Sequence, residues 1–257
     1  MEAKTITSRQ NPLCVHLRKL AKSGVYRREA GEYLVDGEKL WQEAVRWNAP
    51  VRQIITTVGH AFGEGLQLPE GVEQIQVPPE LMAYLSPMET PQGVLFTVGR
   101  REFPRPAPGC GRYLALDGLQ DPGNVGTIWR TADALGADGL FLLGRCADPF
   151  HPKTVRATMG ACFRLPVWEV SLEALEDFAA AGGLTLCAAA LGEGYQTLGS
   201  FDLNGSLPII GNEGHGISKE VLAVCGQRVM IPMRERCESL NAAAAATILL
   251  WEMAWGR

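Results

Sequence analysis

No C-x-x-C pair occurs in the sequence, and its seven cysteines (14, 110, 146, 162, 187, 225 and 237) stand at unrelated spacings. The four histidines lie far from them in any ligand pattern, so neither zinc nor another bound metal is expected. Scattered thiols without an apolar leader read as reduced cysteines of a cytoplasmic protein, several of them serving as small core residues. No run reaches the roughly 20 apolar residues of a membrane span. The phosphate loop G-x-x-x-x-G-K-[ST] is missing, and so is the dinucleotide fingerprint G-x-G-x-x-G. No Ser-His-Asp order is present, which argues against hydrolysis through a covalent nucleophile. A net charge of −4 excludes a histone-like, wholly basic protein.

Against these absences stands an apolar fraction of 46%, enough for a full core, and a length of 257 residues that is natural for two domains. The mild overall acidity hides an asymmetry. Residues 1–30 carry Lys4, Arg9, Arg18, Lys19, Lys22, Arg27 and Arg28 against Glu2 and Glu29. Such a patch attracts phosphate, although a solvated helix face would look the same.

Residues 13–22 carry Leu13, Leu17 and Leu20 on one helical face, and Ser23-Gly24 ends that helix. Strands are expected at 32–37, 51–57, 75–77 and 93–98, with helices at 38–47 and 79–85 between them. This alternation makes a small α/β domain over residues 1–99. Pro104, Pro106 and Pro108 then mark a stiff linker over 100–110. From 111 to 257 the alternation resumes, with strands at 113–116, 139–143, 166–169, 184–190, 207–211 and 228–231. Helices are expected at 128–135, 153–160, 171–181 and 219–224, and from 242 onward. The runs Phe141-Leu-Leu and Leu207-Pro-Ile-Ile are apolar throughout, as parallel strands covered on both faces should be.

Three loops at strand ends hold the chemistry, because ligands of open parallel sheets sit beyond the carboxyl ends of strands. The first runs from Leu116 to Gly126 and opens the helix that carries Arg130; its free N–H groups suit an anion. The second, Ile210-Gly211-Asn212-Glu213-Gly214-His215-Gly216, packs three glycines around one carboxylate. In the third, Ile231-Pro-Met leads through two charged pairs to Ser239-Leu240-Asn241 and five alanines. Ser239 or Asn241 can cap the closing helix. The wall of alanine lets another backbone, a ligand or a second subunit approach closely. One acid, one guanidinium, two amides and a hydroxyl suit the holding of a substrate hydroxyl and phosphate while a bound cofactor donates a group.

These residues resemble a known family. Asp121-Pro-x-Asn124-x-Gly126-x-x-x-Arg130, Gly211-Asn-Glu213-Gly-x-Gly216, and Ile231-Pro-Met with Ser239-Leu-Asn241 are similar to the three motifs of the SpoU (TrmH-like) RNA ribose 2′-O-methyltransferases. Ser8-Arg9-Gln-Asn11-Pro12 through Tyr33-Leu-Val-Asp-Gly37-Glu-Lys39 resembles that family's L30e-like substrate-binding domain. The resemblance implies an α/β protein with a SPOUT-type parallel sheet and C-terminal trefoil knot, plus the smaller N-terminal domain. It implies S-adenosyl-L-methionine (AdoMet) held by Ile210, Gly211, Asn212, Ile231 and Leu240, and a homodimer with its site at the interface. Arg130 would be the residue at the reacting hydroxyl, with Asn124, Glu213, Ser239 and Asn241 orienting it, the substrate and the cofactor loops. A guanidinium is essentially never deprotonated in proteins, so a phosphate clamp that stabilises the developing alkoxide fits Arg130 better than a general base. RNA would be held by Arg9, Arg18, Lys19, Lys22, Arg27, Arg28 and Arg156, the last within a Lys153-x-x-Arg156-Ala-Thr158 run that has threonine where serine is expected. The expected substrate is 23S ribosomal RNA, with transfer RNA second. A base methyltransferase and a non-catalytic ribosome-assembly protein are the other readings.

Overall fold

A computed structural model of the chain describes residues 4–60, 71–107, 111–190, 192, 194–200, 202–234 and 239–256. The end of the proline linker (108–110) and the charged loop 235–238 lie outside the described residues. Two compact units are present: Met1–Glu102 with Phe150–Arg164, and Phe103–Pro149 with Leu165–Arg257.

The first unit opens with β1 (Lys4–Thr5), α1 (Pro12–Lys22) and α2 (Gly24–Ala30). Asn11 Oδ1 accepts the Leu13 amide and Pro12 occupies the first turn, so α1 starts on a sound cap. Ser23 ends α1, as the sequence suggests, and caps α2 at once through its hydroxyl and the Tyr26 amide. The sequence does not announce α2, because seven residues carry too little periodicity to mark a helix.

β2 (Glu32–Asp36), α3 (Glu38–Arg46), β3 (Val51–Thr57), β4 (Glu73–Val77), α4 (Pro79–Leu85) and β5 (Val94–Gly99) complete a five-stranded sheet of order β1-β4-β3-β5-β2. β5 runs antiparallel to both of its neighbours. Leu17 and Leu20 of α1 meet Leu34, Ile55, Ile75, Leu81 and Leu85 in one core cluster.

Residues Phe150–Arg164, which the sequence places with the second domain, pack in this first unit. Their helix α6 (Pro152–Thr158) buries Thr154, Val155 and Thr158 and packs on β2. Arg164 Nη1 bonds Glu43 Oε2 at 2.6 Å, and the Phe150 ring lies 4.8 Å from that of Tyr33. An apolar and polar match to a distant strand is invisible in a linear alternation of helix and strand.

The second unit is a seven-stranded sheet in which every pairing is parallel. Its strands are β6 (Tyr113–Asp117), β7 (Gly139–Leu143), β8 (Val167–Val170), β9 (Thr185–Ala189), β10 (Gln196–Thr197), β11 (Ser206–Ile210) and β12 (Gln227–Met230), in the order β10-β12-β9-β11-β6-β7-β8. The helices are α5 (Pro122–Ala134), α7 (Leu172–Gly182), α8 (Lys219–Val224) and α9 (Ala242–Trp255). β6, β7 and β11 are buried at every residue, which is why their sequences are apolar without alternation. Ala246 of α9 is fully buried where α9 packs on α5, so the alanine wall receives a neighbouring helix.

Cys14, Cys146, Cys162, Cys187 and Cys225 are free thiols, while Cys110 and Cys237 lie outside the described residues. Burial pushes Cys146 and Cys225 up to about 11 and Cys162 and Cys187 to about 12. Thiolate is the reactive form, so these four should resist iodoacetamide at pH 8 in the folded protein. Peptide mass spectrometry after brief alkylation checks this: labelling of any of the four at the rate of a free cysteine contradicts it.

Candidate active site

All the strands of the second sheet run the same way, so β6, β11 and β12 deliver their following loops to one edge. After β6, Asp121 Oδ1 accepts the Asn124 amide at 2.9 Å with Pro122 behind it, and α5 starts there. The apolar pattern of the sequence alone starts this helix at Ile128. The Asp-Pro pair reads as a turn, yet it is also a cap followed by an N1 proline. Asn124 therefore sits in the first helical turn, not in a loop.

After β11, the loop closes on itself. Asn212 and Gly216 exchange backbone hydrogen bonds of 2.9 Å, and Asn212 Oδ1 accepts the Gly214 and His215 amides. Gly211 is forced by contact: a Cβ there would lie 2.2 Å from the Gly216 carbonyl carbon and 2.3 Å from the Ile217 nitrogen. Asn212 Nδ2 donates to Gly118 O at 2.9 Å, tying this loop to the one after β6. In the third loop, Asn241 caps α9 by accepting the Ala243 and Ala244 amides; of the two caps the sequence allowed, it is the one used.

Side-chain amides join the three loops. Asn124 Nδ2 donates to Glu213 Oε1 at 2.7 Å, and Asn241 Nδ2 donates to Asn124 Oδ1 at 3.2 Å. Asn124 is thereby fixed in orientation, its donor toward the carboxylate and its acceptor toward Asn241.

Beside this relay lies a cavity of about 410 Å³, within the range of roughly 300–1,000 Å³ usual for small-molecule sites. Ile210, Gly211, Asn212, Ile231 and Leu240 all line it, together with Glu213 and Ser239. Ala189, Ala190, Tyr195 and Leu222, none of them among the residues expected from the sequence, line it too. No motif marks these four, but Ala189 ends β9, and the carboxyl-end rule points there.

The sequence profile of the SpoU rRNA Methylase family matches residues 111–251. The chain belongs to the SpoU rRNA methylase family. A second profile, the MRM3-like substrate binding domain, matches residues 11–95. The 23S rRNA (guanosine(2553)-2′-O)-methyltransferase of Bacillus subtilis (strain 168) is 31% identical over 232 residues, which cover 88% of this chain and 90% of the relative. The 23S rRNA (uridine(2479)-2′-O)-methyltransferase of Streptomyces viridochromogenes is 33% identical over 268 aligned residues, covering 97% and 91%. The crystal structure of an AdoMet-bound rRNA methyltransferase from Sinorhizobium meliloti superposes with a TM-score of 0.85 at 30% identity, covering 98% of this chain and 97% of that one.

The SpoU motifs thus converge, with one exception. Arg130 does not line the cavity; it lies exposed on α5 and has no hydrogen-bond or ion-pair partner among the described residues. The expectation that Asn124, Glu213, Ser239 and Asn241 orient Arg130 is therefore not met within one chain. Six residues of helix separate Asn124 from Arg130, about 240° of rotation, so the two leave α5 on different faces.

The basic residues of the first unit sort differently from the sequence reading. Arg27 is a correction: it is 2% exposed and donates to Leu20 O at 2.5 Å, so it holds α2 on α1 and offers nothing to RNA. Arg9 and Arg18 both lie 4.7 Å over the Tyr84 ring, an aromatic the sequence reading did not single out. Arg18, Lys22 and Arg156 line one cleft. Lys19 sits over Tyr26 and Arg28 is exposed; neither lines that cleft.

Proposed function

We propose that this SpoU enzyme methylates a ribose 2′-hydroxyl of 23S ribosomal RNA with AdoMet as the donor. The observation that carries this reading is the Glu213–Asn124–Asn241 relay beside the glycine-walled cavity. The activities of the relatives from Bacillus subtilis and Streptomyces viridochromogenes, and the AdoMet-bound neighbour, support it.

The residues present fit the cofactor. Gly211 lets the loop after β11 close tightly on its own backbone at the cavity edge, and Ala189, Ala190, Ile231 and Ala242 give an apolar wall. Glu213 adds a carboxylate suited to a cation. When bound, AdoMet supplies an electrophilic methyl on a sulfonium, and the net reaction turns ribose 2′-OH into 2′-OCH₃ with release of a proton and a thioether. Alignment and charge stabilisation are the protein's part. Asn124, held by two partners, presents a fixed amide beside the cavity, and Ser239 offers a hydroxyl at its rim. Arg130 clamps the phosphate next to the reacting ribose and stabilises the oxygen as it loses its proton. A trefoil knot through the Ile231 loop belongs to the same proposal.

Arg130 reaches the cavity of a second copy in this reading. Ile248, Trp251 and Trp255 lie at helical spacing on the outer face of α9; Trp251 is 57% and Trp255 59% exposed, with rings 4.6 Å apart. An apolar stripe of this size on a helix packed against α5, the helix of Arg130, suits an isologous homodimer. Joint substitution Trp251→Glu and Trp255→Glu should give a monomer in sedimentation velocity that keeps AdoMet binding and loses methyl transfer. A double variant that stays dimeric refutes this face.

Transfer of labelled methyl to 23S rRNA, followed by alkaline hydrolysis, tests the activity. Alkali-resistant labelled dinucleotides are expected; label found only in mononucleotides rules out ribose as the acceptor.

A further inference from the structure

Asp117 is an acid that the catalytic reading leaves unused. It ends β6, is 7% exposed, and pairs with no cation among the described residues. β6 and β11 are parallel neighbours with Leu116 opposite Ile210, so Asp117 leaves the sheet beside Gly211, where the loop after β11 begins. Asp117 Oδ2 accepts the Ser218 amide at 2.7 Å, across 101 residues of sequence. Ser218 ends that loop and caps α8.

The residue after Asp117 holds the loop's other end. Gly118 O accepts Asn212 Nδ2 at 2.9 Å, while Gly118 N donates to Leu143 O at 3.0 Å. Gly118 has a φ of +64°, a conformation that favours glycine. Two consecutive residues at the end of β6 thus grip the segment 212–218 from both ends, and the Asn212–Gly216 bridge closes it between them. Within the grip lie Glu213, which accepts from Asn124 Nδ2, and Gly216 and Ile217, which line the cavity.

Burying a carboxylate without a cation is costly, and a neutral acceptor would satisfy one amide at lower cost. A carboxylate acceptor makes a shorter bond, roughly twice as strong. That exchange disfavours overall stability and favours a loop held in one position.

We propose that Asp117 is a positioning residue of the cofactor site: through the Ser218 amide it keeps the segment 212–218 shut against β6, so that the cavity edge and the Glu213–Asn124 bond stand ready before AdoMet arrives. This inference rests on the reading that the cavity takes AdoMet. A loop that is shut only part of the time lowers apparent affinity by the fraction of molecules that hold it shut. Saturating AdoMet draws the loop closed again, so the defect falls on KM and spares kcat.

Calorimetry with AdoMet on the full chain, together with hydrogen exchange, tests the proposal. Asp117→Ala should weaken AdoMet about tenfold, the size expected when a buried N–H loses its acceptor. Asp117→Asn keeps an acceptor and should stay within about threefold of the parent. Where the alanine variant does not fold, Asp117→Thr takes its place: it matches the volume and suits a strand, but holds its oxygen one bond short of Oδ2. Ile75→Val, in the core of the first unit, is the stability control; it should lower the melting temperature and leave AdoMet affinity unchanged. In Asp117→Ala the amides of 212–218 should exchange faster while those of β2 and β5 keep their protection, and KM for AdoMet should rise with kcat within about threefold.

Parent-like affinity in Asp117→Ala, or affinity that falls in step with melting temperature in Ile75→Val too, overturns the proposal and leaves the cofactor reading standing. A parent chain that binds no AdoMet removes both.

Discussion

Gly211→Ala weakens AdoMet binding in calorimetry by at least tenfold, while Gly214→Ala, three residues along the same loop, leaves it intact. The first methyl group would sit 2.2 to 2.4 Å from the Gly216 carbonyl carbon, the Ile217 nitrogen and the Gly216 oxygen, all of them backbone atoms. Those atoms cannot swing aside like the end of a side chain. The Asn212–Gly216 bridge and the Asn212 bond to Gly118 O hold the loop shut from both sides. Overpacking of this kind costs about 1–3 kcal/mol, and it forces the loop, and with it this edge of the cavity, out of its present shape. A loss of at least tenfold in affinity is expected, with a melting temperature lower by several degrees. At Gly214 a methyl group would meet nothing closer than Asn212 Oδ1 at 3.5 Å, ordinary contact. Parent-like AdoMet affinity in Gly211→Ala would dissociate this cavity from the cofactor.

Arg130→Ala removes methyl transfer and leaves AdoMet affinity within a few-fold. Arg130 does not line the cavity, so cofactor binding has little to lose. Loss of a preorganised charge at a developing oxyanion typically lowers turnover by about 10²–10³. Arg130→Lys distinguishes the two roles that an arginine can take here. Lysine deprotonates more readily, so a general base would survive and improve toward high pH. A bidentate clamp would not, because ammonium is a point charge. The clamp predicts poor activity for the lysine variant at every pH. Mixing the Arg130→Ala and Gly211→Ala chains extends the test. At AdoMet concentrations too low to load Gly211→Ala each is inactive alone, but if Arg130 serves the other copy's cavity, random mixed dimers regain about a quarter of parental activity. No regain places Arg130 with its own cavity and refutes the shared site.

The loop residues were legible because each does local work that leaves a local mark. Asp121 and Asn241 are caps, and Gly211, Gly214 and Gly216 announce a folded loop with a carboxylate at its centre. Helix starts were less legible where one pair of residues serves two purposes. Asp121-Pro122 reads as a turn and acts as a cap, which displaced the expected start of α5 by six residues. Arg27 shows a different failure. Its neighbours in sequence are solvated cations, and only the packing of α2 on α1 turns this one inward to the Leu20 carbonyl.

What the sequence determined by itself was the alphabet of elements, the parallel character of the second sheet, and the three loops able to hold a cofactor. Each of these depends on hydrogen bonds and burial patterns within a few residues. Tertiary structure alone decided which groups meet. Asn124 finds Glu213 across 89 residues and Asn241 across 117, and residues 150–164 pack with a sheet formed much earlier in the chain. It also decided that Asp36, an ordinary acid at a strand end, is buried with one oxygen lacking a partner among the described residues. Strand order and long-range burial set these encounters, and no short window of sequence contains both partners of any of them.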